Sequence, residues 1–305
     1  MACYHPIQGY RAPGGQIAFA KRHGYSDLPI TIPCGQCLGC RLENSRQWAM
    51  RILHESSLYS ENVFLTLTYR DEELPAHHSL ELRHWQLFMK RLKKRLGGRK
   101  IRFFHCGEYG DTTHRPHYHA ILFNIDFDDK ILLKVTENGD RLYTSQFLDD
   151  TWSHGDCYIG SVTFESAAYC GRYVMKKLTG QRKSEYGDRQ PEYATQSRRP
   201  GIGMPWLLKW KTDVFPNDFC IVNGKKVRVP KYYDALVKSP DSYRWEWSDE
   251  PPHYRFVGSL KLTESELRSG ARIRKARKHE HDNTPERLAV REHIQQARLD
   301  RLSRS

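Results

Sequence analysis

Residues 114–123, HRPHYHAILF, place His117 and His119 two positions apart at the start of an apolar run and directly after Pro116. Alternate side chains of a strand share a face, so both imidazoles point one way and Tyr118 the other. Glu108 closes the preceding β-like run, 101–108. An antiparallel return through the Gly-, Asp-, Thr- and Pro-rich segment 109–116 sets it beside His117, at the roughly 5 Å separation of cross-strand neighbours. Two imidazoles and a carboxylate facing one point suit a divalent cation such as Mn²⁺ or Mg²⁺, with positions left for water or a phosphate oxygen. Alone, His-x-His is a short motif that ordinary strand histidines also produce.

A second stretch, 165–178 (ESAAYCGRYVMKKL), supplies the other half of a reaction. At about 100° per residue, Ala167, Cys170, Gly171, Val174 and Leu178 form a narrow small or apolar stripe. Tyr169 and Tyr173 lie outside it, four apart on one face, with Lys176 three further on and Arg172 and Glu165 flanking. Tyrosine oxygen can act as a covalent nucleophile, and phosphoryl transfer requires positioning, charge neutralisation and an activated attacker. A cation on His117, His119 and Glu108 would polarise a scissile phosphate, one tyrosine would attack, and Lys176 would stabilise developing negative charge. A second tyrosine permits a second transfer before the first intermediate is released.

The elements that must position these groups are legible as alternating patterns. Residues 63–69 alternate β-formers and read as a strand, and 79–96 carries an amphipathic helix stopped by Gly97-Gly98. Strands follow at 101–108 and 117–123, then a short helix near 145–153, a strand at 157–164 and a helix at 166–178. This order predicts an α+β fold, an antiparallel-centred sheet with helices packed on one face, rather than a doubly wound one. Before it, 41–58 is helical in pattern. After it, 182–199 is expected to be a basic loop, Asn223-Gly224 between apolar runs predicts a hairpin, and 285–304 reads as a polar helix. The expected domains are a Cys-containing N-terminal segment (1–60), a central domain with a basic loop and hairpin extension (61–240), and a basic helical C-terminal region (241–305).

The 305 residues carry a net charge of +13 and 12% aromatics, which favours a polyanionic partner with stackable bases, nucleic acid foremost. No run approaches the roughly 18 apolar residues of a membrane span, and the first residues lack a signal-peptide layout, so an intracellular protein is expected. In a reducing compartment the eight cysteines are expected as thiols or metal ligands. Cys34, Cys37 and Cys40, with Cys3 or His5 as a fourth ligand, suit a structural zinc, and an iron–sulfur cluster is the alternative. The segment 182–199, with Tyr186 and Tyr193, is expected to line a single-strand groove, and 272–278 with the final helix to grip duplex phosphates. Trp85, Trp206, Trp210, Trp245 and Trp247 are expected as core or loop anchors.

Strand 64–69 (FLTLTY), Gly107-Glu108 with His117-Tyr118-His119, and Tyr169-x-x-x-Tyr173-x-x-Lys176 resemble, in order and spacing, the three motifs of HUH endonucleases that initiate rolling-circle replication. With the early Cys-x-x-Cys-x-x-Cys, the whole chain is similar to the replication initiators of gokushovirus-like microviruses. The resemblance implies a ferredoxin-like Rep fold and a metal-dependent nick at a single-stranded origin. It further implies a 5′-phosphotyrosine link, a free 3′-hydroxyl for a host polymerase working with a helicase, later religation by the paired tyrosines, and residence in the host cytoplasm. A transposase or relaxase of the same chemistry, a non-catalytic zinc-containing nucleic-acid binder, and a non-haem iron oxygenase on the His–His–Glu set remain as rivals.

Overall fold

The computed structural model describes residues 3–173, 184, 186–215, 217–222, 224–238, 243–249, 252–259 and 285–302. The chain divides into two compact units, Met1–Asn44 with Gly270–Ser305, and Ser45–Ser269. In the first, β1 (Ile7–Arg11) is flanked by β2 (Ile17–Ala18) and β3 (Pro29–Ile32) in a small antiparallel sheet. The helix α1 (Leu38–Ser56) follows.

The second unit is built on a seven-stranded sheet in the order β10-β5-β6-β4-β9-β8-β7, every neighbouring pair antiparallel. Its members are β4 (Asn62–Leu67), β5 (Arg102–Tyr109), β6 (Pro116–Phe123), β7 (Ile131–Val135), β8 (Arg141–Thr144), β9 (Cys157–Gly160) and β10 (Tyr193–Gln196). Between them lie α2 (Leu82–Arg95), α3 (Gln146–Trp152) and α4 (Phe164–Tyr173). The expected strands and helices of the central region are present, with ends shifted by a few residues; the last five residues of the helix expected over 166–178 lie outside the described residues.

Helices cover both faces, not the one face expected. On one, Trp85, Phe88, Met89 and Leu92 of α2 and Leu148 and Trp152 of α3 pack on Val63, Leu65, Leu67, Tyr118, Ala120 and Leu122. On the other, Ala49 and Ile52 of α1 and Ala167 and Cys170 of α4 pack on Phe104, Cys106, Ile121 and Phe123. The cause is in the central strands. Along β6 both parities are apolar beyond the histidines, so each face needs a cover, and each large side chain buried there contributes about 2 kcal/mol.

Local chemistry fixes the ends of these helices. Glu81 caps α2 by accepting from the Arg83 N–H, Lys93, Lys94 and Arg95 meet the negative end of its dipole, and Gly97 and Gly98 follow at positive φ. Ser145 caps α3 by accepting from the Leu148 N–H. At the start of α4, Thr163 and Ser166 exchange side-chain-to-backbone hydrogen bonds.

Further along are α5 (Met204–Val214), the hairpin β11 (Phe219–Val222) and β12 (Lys225–Arg228), α6 (Lys231–Lys238), a second hairpin β13 (Tyr243–Asp249) and β14 (Pro252–Ser259), and α7 (Pro285–Leu302). The hairpin expected around Asn223-Gly224 forms, with Gly224 at φ 72° and Asn223 outside the described residues. Two expectations are corrected. Part of the 182–199 loop is the edge strand β10, because Tyr193-Ala-Thr-Gln finds open backbone groups on β5. The region 241–305 is not helical throughout, since Tyr243, Trp245 and Trp247 alternate in the sequence and their strand pairs with β14. The basic run 272–278 lies outside the described residues.

A histidine in the core makes this unit acid-sensitive. His54 of α1 stacks on Trp206 with ring centroids 3.6 Å apart, and its Nδ1 lies 2.9 Å from the Tyr233 hydroxyl. Burial lowers its pKa to about 3. Between about pH 6.5 and 3 the unfolded chain therefore holds a proton that the folded chain does not. Stability is complete above that window and falls as pH drops through it, by up to about 1.4 kcal/mol per pH unit. Urea denaturation from pH 7 to pH 4 should show the wild type losing stability more steeply than His54→Phe; parallel curves would exclude His54 as a source of the acid sensitivity.

Candidate active site

Pairing of β5 with β6 sets Glu108 opposite His117 and Cys106 opposite His119. Side chains alternate across a strand, so Glu108, His117 and His119 share the face that also carries Phe104, Cys106, Ile121 and Phe123, the face covered by α4. Tyr118 goes to the α2 side, where its hydroxyl bonds Tyr69 and the Glu81 backbone. The candidate ligands converge as expected: Glu108 Oε1 is 3.0 Å from His117 Nε2 and 2.7 Å from His119 Nε2.

What lies behind the rings sets their orientation and, for His117, the tautomer. His117 Nδ1 faces the Arg115 carbonyl at 3.1 Å, and a carbonyl only accepts, so Nδ1 carries the proton. In the neutral ring the Nε2 lone pair then points at a carboxylate oxygen, an arrangement that a proton or a cation between them relieves. His119 Nδ1 lies 3.0 Å from Thr66 Oγ1 on β4, the strand on the other side of β6, which likewise turns Nε2 inward. Phe64 stacks on the back of His119, with ring centroids 5.4 Å apart. Burial pushes the Glu108 carboxyl upward, but the hydrogen bonds and charge of His117 and His119 outweigh it and hold the pKa below the ordinary value. Glu108 is therefore an anion at neutral pH.

This donor set fits a divalent cation. Octahedral ligands at about 2.1 Å from an ion stand about 3 Å apart, close to the two separations found. The carboxylate faces both Nε2 atoms, and each Nδ1 is engaged away from it by the Arg115 carbonyl or the Thr66 hydroxyl, the orientation that ligating histidines take.

Tyr169 reaches the same point from α4. Its phenol oxygen is 3.4 Å from His119 Nε2 and 3.4 Å from Glu108 Oε1. The approach depends on Gly171: a Cβ there would stand 2.8 Å from the Ser45 carbonyl oxygen of α1. Ser45 Oγ also donates to the Ala168 carbonyl at 3.2 Å, fixing α4 against α1. Arg172, exposed, has its guanidinium 5.7 Å from the Tyr169 ring centre. The backbone of Tyr173 ends α4; its side chain, and all of Lys176, Val174 and Leu178, lie outside the described residues.

The cysteines form a second convergent set. Sulfurs of Cys3, Cys34, Cys37 and Cys40 all lie within 4.8 Å of one another. Cys3 Sγ is 3.7 Å from Cys34 Sγ and 3.9 Å from Cys37 Sγ, far beyond a disulfide bond and close to the about 3.8 Å edge of a tetrahedron with 2.3 Å metal–sulfur bonds. Backbone N–H groups of Tyr4, Cys34 and Cys37 donate to Cys37, Cys3 and Cys34 sulfurs, each at 3.3 Å. Burial raises the Cys37 thiol, but the Tyr4 and Cys40 backbone N–H groups and the neighbouring thiols bring it down to about 6. The fourth member is Cys3, while His5 bonds Glu292 at 2.7 Å.

One expected DNA contact is not available: Tyr186 is buried in the core on the α2 side and bonds Glu192 at 2.9 Å, while Tyr193 is half-buried against that core. Trp85 and Trp206 are anchors, as expected, stacked on His105 and His54. Thr66 and the Arg115 carbonyl are not legible as site groups in the sequence; the only signal for Thr66 is its register opposite His119, which depends on knowing that β4 borders β6. Removing such ligand-orienting partners typically weakens metal binding about 10–100-fold. Thr66→Val should weaken Mn²⁺ binding by about that factor, read by electron paramagnetic resonance titration, and Glu108→Gln by more. Wild-type affinity in both would exclude the site.

The comparisons with known proteins give the chain its family. The family model of the ORF2-type replication-associated protein matches residues 62–178, the span from β4 through α4 and beyond. The chain is 36% identical over 254 residues to replication-associated protein VP4 of Bdellovibrio phage phiMH2K, covering 80% of each. It is 31% identical over 274 residues to replication-associated protein ORF2 of Spiroplasma virus 4, covering 82% of each. With replication-associated protein ORF4 of Chlamydia phage 1 it shares 25% over 235 residues, 75% of this chain and 59% of that protein. No solved structure matches it significantly. The chain thus belongs to the phage replication-associated proteins, as a Rep of the microvirus type.

Proposed function

We propose that this Rep is an HUH-type, metal-dependent DNA nickase and strand transferase that starts rolling-circle replication. The observation that carries the reading is the approach of the Tyr169 phenol oxygen to the point where Glu108 Oε1, His117 Nε2 and His119 Nε2 converge. The order β9-β4-β6-β5 at the centre of the sheet, with α2 and α3 on one face, supports a ferredoxin-like core carrying that chemistry.

Mn²⁺ or Mg²⁺ held by these three residues would supply charge neutralisation at the scissile phosphate. The chain's own groups do the rest. Thr66 and the Arg115 carbonyl keep both Nε2 atoms turned inward, and Phe64 limits rotation of His119. The fixed α4–α1 contact holds the phenol in line, which is what phosphoryl transfer needs most. Tyr169 oxygen forms a bond to phosphorus, the bond to the 3′-oxygen breaks, the phenolic proton leaves to solvent and the departing oxygen takes one up. The products are a 5′-phosphotyrosine and a 3′-hydroxyl that a host polymerase, with a host helicase, extends in the host cytoplasm. Tyr173 carries the second transfer that closes the circle, and Lys176 stabilises the charge on the phosphate. The four-cysteine set holds a structural zinc that ties the N-terminal segment together.

Incubated with Mn²⁺ and a single-stranded origin oligonucleotide, the protein is expected to form a covalent protein–DNA adduct. Tyr169→Phe should reduce the adduct at least 100-fold and Tyr169→Phe with Tyr173→Phe abolish it. Adduct formed at the wild-type rate by the double variant would refute the assignment.

A further inference from the structure

We propose that the small N-terminal sheet is a single-stranded-DNA stacking platform, with Phe19 and Tyr25 as its base-contacting rings, distinct from the tyrosine site. The inference begins with how little this sheet buries. Among the described residues of 7–32 only Gly9 is buried, while Ile7, Ile17, Phe19, Tyr25 and Leu28 are all exposed, Phe19 by 66% and Tyr25 by 47%. A sheet without a core of its own is not held by these apolar groups. It is held at its base: Ile7 pairs with Ile32, and just outside that pair Cys3 and Cys34 enter the four-sulfur cluster. The exposed rings therefore have no structural task in the ribbon that carries them.

They are grouped with cations at the opposite end from the sulfurs. Phe19 and Tyr25 bracket the 3-10 turn Lys21–His23, whose residues are all exposed. The Tyr25 N–H donates to the Arg11 carbonyl at 2.7 Å, and Arg11 pairs with Ile17, so the strand end with Arg11 adjoins the same turn. Gly24 is drawn so close to Tyr10 that a Cβ would lie 2.6 Å from the Tyr10 Cβ, which keeps the turn folded back on β1. Arg11, Lys21 and Arg22 stand against one acid in 7–32, Asp27.

Exposed aromatic rings on either side of an exposed cationic turn match one polymer, a strand whose bases are unstacked and whose phosphates recur at each step. Duplex DNA buries its base faces, and an apolar protein partner would not call for a rim of one charge sign. The proposal uses the chain's place among phage replication proteins and does not depend on the nicking chemistry.

The test uses the full-length protein and a fluorescent dT₁₅ oligonucleotide, read by anisotropy without added Mn²⁺. Each stacked ring lost is expected to weaken binding roughly tenfold, so Phe19→Ala with Tyr25→Ala should lose about 100-fold for dT₁₅ and little for a hairpin duplex. Phe19→Leu with Tyr25→Leu keeps apolar bulk without a π face and should show a similar loss. Phe19→Trp with Tyr25→Trp should retain affinity, and Lys21→Ala with Arg22→Ala should flatten the salt dependence. All variants should keep one zinc per chain and the wild-type rate of origin adduct at saturating DNA, which separates this site from the nicking reaction. Affinity of the Leu pair for dT₁₅ within twofold of wild type, or equal losses on dT₁₅ and duplex, would overturn the proposal.

Discussion

The site rests on the antiparallel pairing of β5 with β6 in one register. With Glu108 opposite His117, both imidazoles and the carboxylate fall on the α4 side of the sheet, and Tyr118 and Gly107 on the α2 side. Because the side-chain period of a strand is two, a slip of one residue between β5 and β6 would turn Glu108 to the face opposite the two histidines. The register is protected from both sides. The slipped strand would also have to exchange its apolar residues between faces, Phe104 and Cys106 with Phe103 and His105 on β5 or Ile121 and Phe123 with Ala120 and Leu122 on β6, and β4 locks β6 independently through Thr66 opposite His119. The histidines are thus held by the same pairing that builds the core.

The candidate nucleophile is positioned by a second, different constraint. Tyr169 sits on α4, whose distance from the sheet and from α1 is set by small residues: Ala167 and Cys170 under the helix, and Gly171 against the Ser45 backbone. The described part of the apolar stripe, Ala167, Cys170 and Gly171, is therefore a contact surface that lets the helix approach, and the tyrosine stands beside it over the candidate metal ligands. Larger residues in the stripe would lift the helix and with it the phenol. Strand register fixes the candidate ligands and helix approach fixes the candidate attacker, so the two halves of the proposed chemistry meet only when both constraints hold.

Much of this is legible in the sequence where periodicity carries the information. His-x-His on a strand, Glu108 before a return loop, and a tyrosine outside an apolar stripe are local patterns, and each survives folding unchanged. What escapes depends on neighbours distant in sequence. Thr66 reaches His119 only because β4 borders β6, and the cover on the second face escapes because α1, read in isolation, gives no sign of which side it lies on. Tyr186 and Tyr193 sit among basic residues and suggest a groove, yet Tyr186 is buried in the core and Tyr193, on β10 at the open edge of β5, packs against it. The choice of Cys3 over His5 is likewise a matter of where β1 and β3 bring their ends together, which spacing along the chain does not encode.

The central claim is that Glu108, His117, His119 and Tyr169 address a single ion. Anomalous scattering from crystals soaked in Mn²⁺ tests it most directly. The account predicts a peak about 2.0–2.4 Å from His117 Nε2, His119 Nε2 and a Glu108 oxygen, with the Tyr169 phenol oxygen facing it. A Mn²⁺ ion bound by other side chains, or a Tyr169 ring turned away from these three, would contradict it.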